Sequence, residues 1–273
     1  MIWACPVCSE PLLLQQRQLI CSNNHRFDQA RQGYFNLMQA NRKGSRDPGD
    51  TREMMLARRD FLRQGFYQPL VDLLSHWLAE HPSQELSMLD SGCGEGYYLQ
   101  QLSRNAGDKM IQAHGLDISK EAIKLAARSQ PDSQWVVASS FRLPVKSDSV
   151  DILLRVFAPG CDLEARRVLR ESGELWRVAP ADNHLSELKQ RLYDKVQAHT
   201  EPPAPSGFEL LQQERVTMNC ELSSNESVQQ LLTMTPFVWQ AAKARQQAVL
   251  GLNELSVTAD FWVQRYRVAS DND

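Results

Sequence analysis

What the chain lacks bounds it first. No run approaches the roughly 18 uninterrupted apolar residues of a bilayer span, and the first twenty residues lack a secretion signal's basic start, long apolar run and small-residue cleavage site. A soluble, cytoplasmic protein with no membrane partner is expected. Net charge is nearly missing as well: −3 over 273 residues excludes a uniformly basic nucleic-acid binder. Cysteine is scarce, and three of the six fall within the first 21 residues, a crowding that suits a metal site better than a disulfide framework. What is present is apolar enough, at 42%, to exclude a disordered chain and to allow one large domain and a small one.

Charge is unevenly spread. Residues 1–63 hold ten Lys/Arg against six Asp/Glu, leaving 20 against 27 in the remainder, so a polyanion should meet the N-terminal side first. In that region Cys5, Cys8, Cys21 and His25 form a C-x2-C-x12-C-x3-H pattern. Each pair on a tight turn aims two ligands to one side, and the spacer folds back as a hairpin from Leu12–Leu14 and Arg17–Ile20. A redox CxxC would sit beside a βαβ pattern, and none precedes Cys5. The expectation is one structural Zn²⁺ with all four positions filled by protein, supplying much of the module's folding free energy. Cys93, Cys161 and Cys220 are scattered and read as packed thiols.

Residues 41–50 read as a charged loop, and a helix is expected from Asp50 or Thr51. Arg42, Lys43, Arg46, Arg52, Arg58 and Arg59 either form a solvated linker and amphipathic helix or contact RNA phosphates with the loop over an active site.

From Glu85 a short apolar strand runs through Asp90 into Gly92-Cys-Gly94-Glu95-Gly96 and then a helix, an arrangement that cradles a nucleotide-like ligand. A second strand, Met110–Leu116, ends in Asp117, 21 residues after Gly96, placed to accept both hydrogen bonds of a ribose diol. The turn is G-x-G-x-G preceded by an acid, not the G-x-G-x-x-G of dinucleotide enzymes. That favours S-adenosylmethionine over NAD, with Asp90 orienting the loop or the methionine end. Strands at 134–138, 150–154 and 173–179 alternate with helices at 120–129 and 162–170, and 208–220 with 259–268 read as an antiparallel edge. The fold expected is α/β: a Rossmann-like, seven-stranded methyltransferase sheet (85–273) behind a zinc-binding domain (1–36), with a basic loop and connecting helices (37–84) between. Ser139–Phe141 either border the adenine or form an ordinary loop, and Arg155–Gly160 occupies the strand end where an acceptor docks.

Together with Ser45–Asp50, Gly92–Tyr98, Ala158-Pro159 and Met234–Phe237, these residues resemble, over essentially the whole chain, the bacterial 23S ribosomal RNA guanine-N1 methyltransferases. The resemblance implies a zinc domain that helps recognise a ribosomal RNA hairpin, a homodimer, and Tyr67, Glu95, Gly96 and His184 as cofactor contacts. The chain departs from the family pattern at Asp90-Ser-Gly92 and at Glu171-Ser-Gly-Glu174. Guanine N1 carries a proton that must be removed for methylation. Asp47 or Asp50 is a candidate relay, with a turn-forming role as the alternative; Arg155 is a candidate to stabilise O6. Tyr67, Phe157 and Trp239 either stack on an extruded base or belong to the core. A small-molecule methyltransferase and a non-catalytic RNA-binding protein are the rival readings; the first has little use for a basic zinc appendage, and the second need not bind the cofactor.

Overall fold

A computed structural model describes residues 1–39, 50–239 and 241–269, without the side chains at 238 and 239. The expectations for Arg42, Lys43, Arg46 and Asp47, and for the Trp239 side chain, lie outside the described residues. At the N-terminus β1 (Leu13–Gln15), β2 (Gln18–Ile20) and β3 (Arg26–Asp28) form a three-stranded antiparallel sheet. The hairpin turn places Gln16 at φ +56°.

The following strand, β4 (Phe35–Asn36), leaves that module and pairs in parallel with β7 (Gln134–Val137), at the edge of the main sheet. That sheet has eight strands in the order β10-β11-β9-β8-β5-β6-β7-β4. The expected seven are there, with β4 as an eighth too short for any periodicity to announce. At the centre, β5 (Glu85–Ser91) pairs in parallel with both β6 (Met110–Asp117) and β8 (Val150–Val156). The chain fills one flank and then jumps to the other, so a crevice opens at the carboxyl ends of β5 and β8. Beyond β9 (Leu169–Pro180), the long antiparallel pair β11 (Leu255–Val268) and β10 (Phe208–Leu222) completes the sheet.

The departure at 171–174 has a structural account. Glu174 is buried and accepts two hydrogen bonds from Arg265, at 2.6 and 2.8 Å, and one from the Trp176 indole at 2.7 Å. A charge-assisted, bidentate pair thus holds β9 to β11.

Helices α1 (Arg52–Arg63), α2 (Gln68–Glu80), α3 (Tyr97–Arg104), α4 (Lys120–Ser129), α6 (Ser186–Leu192) and α7 (Asn225–Met234) contribute to one core. Thr51 caps α1 by accepting from the Met54 N–H, which places the helix start where the sequence suggested. The opposite face carries α5 (Asp162–Val168) but no helix between β7 and β8, where residues 138–149 are irregular. A sheet face left bare there would expose Leu89, Leu116 and Val136. The zinc module covers it: Ile2, Trp3, Leu12 and Leu19 are buried in one cluster with those residues and with Leu143 and Val145. Backbone bonds tie the two together, Ala4 N–H donating to Pro144 and Lys146 N–H to Ile2. No described helix is long and apolar enough to cross a membrane. A short α8 (Lys243–Leu250) completes the helices named here.

Candidate active site and metal centre

Two turns bring the N-terminal ligands together. The Ser9 N–H donates to the Cys5 carbonyl and the Asn24 N–H to the Cys21 carbonyl, with Ser9 and Asn24 both left-handed, at φ +65° and +61°. The four ligand atoms lie within 4.8 Å of one another. The His25 Nδ1 stands 3.6, 3.4 and 3.3 Å from the sulfurs of Cys5, Cys8 and Cys21, and the sulfurs of Cys8 and Cys21 are 3.7 Å apart. A tetrahedral zinc with bonds of about 2.3 Å to sulfur and about 2.0 Å to nitrogen has edges of roughly 3.5–3.8 Å, so these residues fit the ion. No position is left for substrate or water, and the centre is structural.

The glycine turn follows β5 directly. Gly92, Gly94 and Gly96 all have positive φ. At Gly92 a Cβ would stand 2.4 Å from the Ala158 Cβ, so the β8 loop packs directly on the turn. Asp117, at the tip of β6, accepts from the Gly94 N–H at 2.9 Å and from the Ser119 N–H at 2.7 Å. It therefore ties the turn to the second strand, and each oxygen keeps a second lone pair for a ligand diol. Asp50 lies over the same turn. Its carboxylate pairs with Arg58 Nη1 at 2.7 Å, its carbonyl accepts from Ser119 Oγ, and Arg58 Nη2 donates to the Met234 carbonyl. Thus Asp50, α1 and the end of α7 form a latch above the turn, a link between distant segments that spacing alone cannot reveal.

Two carboxyls in the turn are buried, Asp90 at 1% and Glu95 at 4% exposure, and each has one oxygen without a partner among the described residues. Burial, with Asp117 adding to it, pushes Asp90 up to about 8. Burial pushes Glu95 up to about 7, against the pull of Arg63, Arg59 and Arg58. Acids gathered this way suit a ligand carrying a sulfonium, an ammonium and a ribose diol, and are unfavourable to a diphosphate. The residues therefore fit S-adenosylmethionine and not NAD.

These shifts carry a pH signature. Each acid holds a proton when folded at a pH where the unfolded chain has lost it. Its contribution is full below about pH 4 and is lost as pH rises through the folded values. Between pH 6 and pH 8 the ligand-free protein should lose up to roughly 4 kcal/mol. Scanning calorimetry of the Asp90→Asn/Glu95→Gln double variant should show a flatter dependence; an unchanged slope would remove the assignment.

Aromatic rings gather beyond the carboxyl end of β8. Phe157 follows β8 with left-handed backbone, φ +55°, and is 44% exposed. Its ring meets Phe261 at 5.0 Å, Tyr98 edge-on at 6.4 Å and His184 at 6.3 Å, nearly parallel. Left-handed backbone at a bulky residue is strain held by its surroundings, and here it holds an aromatic face toward the crevice. His184 Nδ1 accepts from the Asp260 N–H, and burial, aided by Lys189 and His199, pushes its pKa down to about 3. Tyr67 is buried, packed edge-on against Phe61 and Phe261 beneath this group.

Arg155 is placed differently from the expectation of a contact to O6. It is 4% exposed, and its guanidinium donates to Asp162 at 3.2 Å and to the Cys161 carbonyl at 2.8 Å. Gly160 gives it room, since a Cβ there would lie 2.6 Å from the guanidinium carbon. The side chain thus braces the 157–162 loop from within. Ser139 accepts from the Phe141 N–H, leaving Phe141 59% exposed beside the end of β7. Sequence reasoning missed Tyr98 and Phe261 as parts of this aromatic group, because nothing local distinguishes them from core residues.

Comparison with known proteins agrees with this geometry. Residues 3–46 match the zinc-ribbon family described as RlmA, N-terminal, and residues 89–176 match a methyltransferase domain. A 23S rRNA (guanine(748)-N(1))-methyltransferase of Streptomyces fradiae is 33% identical, over 96% of this chain and 95% of its own. A relative from Micromonospora griseorubida, provisionally named as a 23S rRNA (guanine-N(1)-)-methyltransferase, is 34% identical over 96% of each chain. Among solved structures, a chain from the Haloferax volcanii complex with the Trm112 methyltransferase activator shares the fold, with TM-score 0.50 and 18% identity, over 83% of this chain and 100% of that one. With likeness running through both the zinc ribbon and the acid-lined glycine turn, the chain belongs to the family of 23S rRNA (guanine-N1)-methyltransferases.

Proposed function

We propose that this protein methylates N1 of a specific guanine in a hairpin of 23S ribosomal RNA. The observation that carries the reading is the packing of a Cys3His zinc ribbon onto the same sheet whose strand β5 leads into a glycine turn lined by buried acids. S-adenosylmethionine supplies the methyl group on an excellent leaving group, so the protein's task is positioning, charge and desolvation. Tyr67, Asp90, Gly92, Gly94, Glu95, Gly96, Asp117 and His184 form its binding surface, with Asp117 toward the ribose. Asp50, paired with Arg58, fastens the start of α1 above the glycine turn, and Arg155 acts by bracing the loop that presents Phe157.

Basic side chains suit the RNA. Arg63 and Arg104 flank one cleft with Gln68 and Gln100, beside the helix that carries Arg58 and Arg59. The zinc ribbon (1–36) serves RNA recognition and the methyltransferase domain (85–273) the chemistry, with the connecting segment (37–84) joining them. The reading includes a homodimer, as the resemblance implies, and a cytoplasmic location. The outer edge of β10, 15 residues long, is a surface that a second copy can use; a solution mass of one chain would remove that part.

The test is to incubate the protein with labelled S-adenosylmethionine and unmodified 23S ribosomal RNA and map the product by mass spectrometry. The expected result is a single N1-methylguanine. Label in another RNA or only in a small-molecule pool would overturn the substrate assignment, and absence of calorimetric cofactor binding would overturn the enzyme.

A further inference from the structure

Two polar groups at this end of the sheet have no part in the chemistry above. Lys189, in α6, is 5% exposed, and its Nζ has no hydrogen-bond or ion-pair partner among the described residues. It lies 5.5 Å from the centroid of the Phe237 ring. His199, in the irregular segment after α6, likewise buries an unpartnered Nε2. A buried ammonium without a partner is costly, and the ring of Phe237 offsets only part of that cost.

Their position relative to the site is defined by the rings between. The His199 ring stands 6.3 Å from His184, which faces Phe157, which in turn meets Tyr98 behind the glycine turn. Phe237 belongs to the same Met234–Phe237 segment that receives Arg58. A donor-only group and a ring nitrogen are thus both buried without partners beside His184, close enough for the charge of Lys189 to act on both imidazoles.

We infer that Lys189 and His199 are catalytic residues that hold the Watson–Crick edge of the acceptor guanine, Nζ donating to O6 and Nε2 taking the proton from N1. The inference rests on the proposed activity. In the reacting step the N1–H bond breaks and its proton passes to His199. The electron pair on N1 forms the new bond to the methyl carbon as the carbon–sulfur bond breaks, leaving its pair on a neutral thioether. Charge balances: the sulfonium's positive charge ends on the imidazolium, which later releases its proton to water. Lys189 meets the negative charge that gathers on O6. Adenine offers an amino donor in place of O6 and no proton on N1, so the same pair disfavours it.

The surroundings suit these roles. Burial and the charge of Lys189 push the His199 pKa down, keeping the ring neutral and able to accept. The titratable ring facing it is His184, itself kept neutral by burial, and beyond that lies the carboxylate of Asp260, which is held by Arg215 and Thr217.

The experiment is single-turnover methylation of a ribosomal RNA transcript by the full, zinc-loaded protein at saturating S-adenosylmethionine. Lys189→Met and His199→Gln should each slow it by about 100-fold or more, with calorimetric affinity for S-adenosylmethionine unchanged. Lys189→Arg, which keeps a charged donor, should recover much of the rate. The His199→Gln deficit should shrink as pH is raised, because N1 then ionises unaided; a merely structural histidine would show no such rescue. Lys189→Met removes an unpaired buried charge, so its melting temperature should not fall. Near wild-type rates in both variants, or a pH-independent His199→Gln deficit, would overturn the inference. Failure of the wild type to make N1-methylguanine would instead overturn the activity.

Discussion

Stripping zinc from the intact protein should lower the melting temperature of the whole chain by at least about 10 °C, not merely unravel its first residues. The ribbon has little core of its own and depends on the ion for its shape. Once its knuckles open, Ile2, Trp3, Leu12 and Leu19, all at most 3% exposed, leave the sheet face they cover. At roughly 1.5–3 kcal/mol for each large apolar side chain, that loss is comparable with the stability of an entire domain. The newly bare face, with Leu89, Leu116 and Val136, should also promote association. Cys21→Ser should act in the same direction as chelation. Calorimetry on samples of measured zinc content decides the matter, and an unchanged midpoint in zinc-free protein would show that the ribbon is not part of the core.

Gly96→Ala is expected to damage the cofactor site severely by the addition of a single methyl. The residue sits at φ +85°, and its Cβ would lie 2.6 Å from Trp135 Cη2 and 3.3 Å from the Ala126 Cβ. Trp135 cannot give way. It is 1% exposed, its indole N–H donates to the Gln130 carbonyl at 2.9 Å, and the same ring edge is already packed against Gly115. Left-handed strain costs about 1–2 kcal/mol and overpacking about 1–3 kcal/mol, a sum of roughly 2–5 kcal/mol. Because Gly96 also starts α3, whichever part yields moves the turn's N–H groups, and affinity for S-adenosylmethionine should fall by about 100-fold, some 2.7 kcal/mol. Calorimetric titration together with denaturant unfolding tests both halves. Normal affinity in a destabilised protein would show that the turn tolerates the shift.

The pieces legible in advance share a property: their signals are local. Cys5, Cys8, Cys21 and His25 are chemically distinctive and closely spaced, so ligand chemistry alone assembled them. The helix from Lys120 to Ser129 and the strand ending at Asp117 carry the periodicity and end signals of their elements. The eighth strand, β4, escaped notice because two residues carry no period, and its only evidence is the partner it finds in β7.

Side-chain roles divided in the same way. The strand containing Arg155 was readable, but whether its guanidinium reached the acceptor or its own loop depended on Asp162 and the room left by Gly160. Asp50 became a latch only because α1 brings Arg58 between it and the carbonyl of Met234, 176 residues away from Arg58. Lys189 and His199 have no motif whatever. Sequence alone determined the zinc set, the class of cofactor and the parallel sheet, since each follows from bonds and spacings within a few turns of chain. Tertiary structure alone decided that the ribbon substitutes for a missing helix, that Arg155 faces inward, and that a lysine and a histidine are both buried without partners beside His184. Those outcomes are set by burial and by contacts between distant segments, which no local spacing encodes.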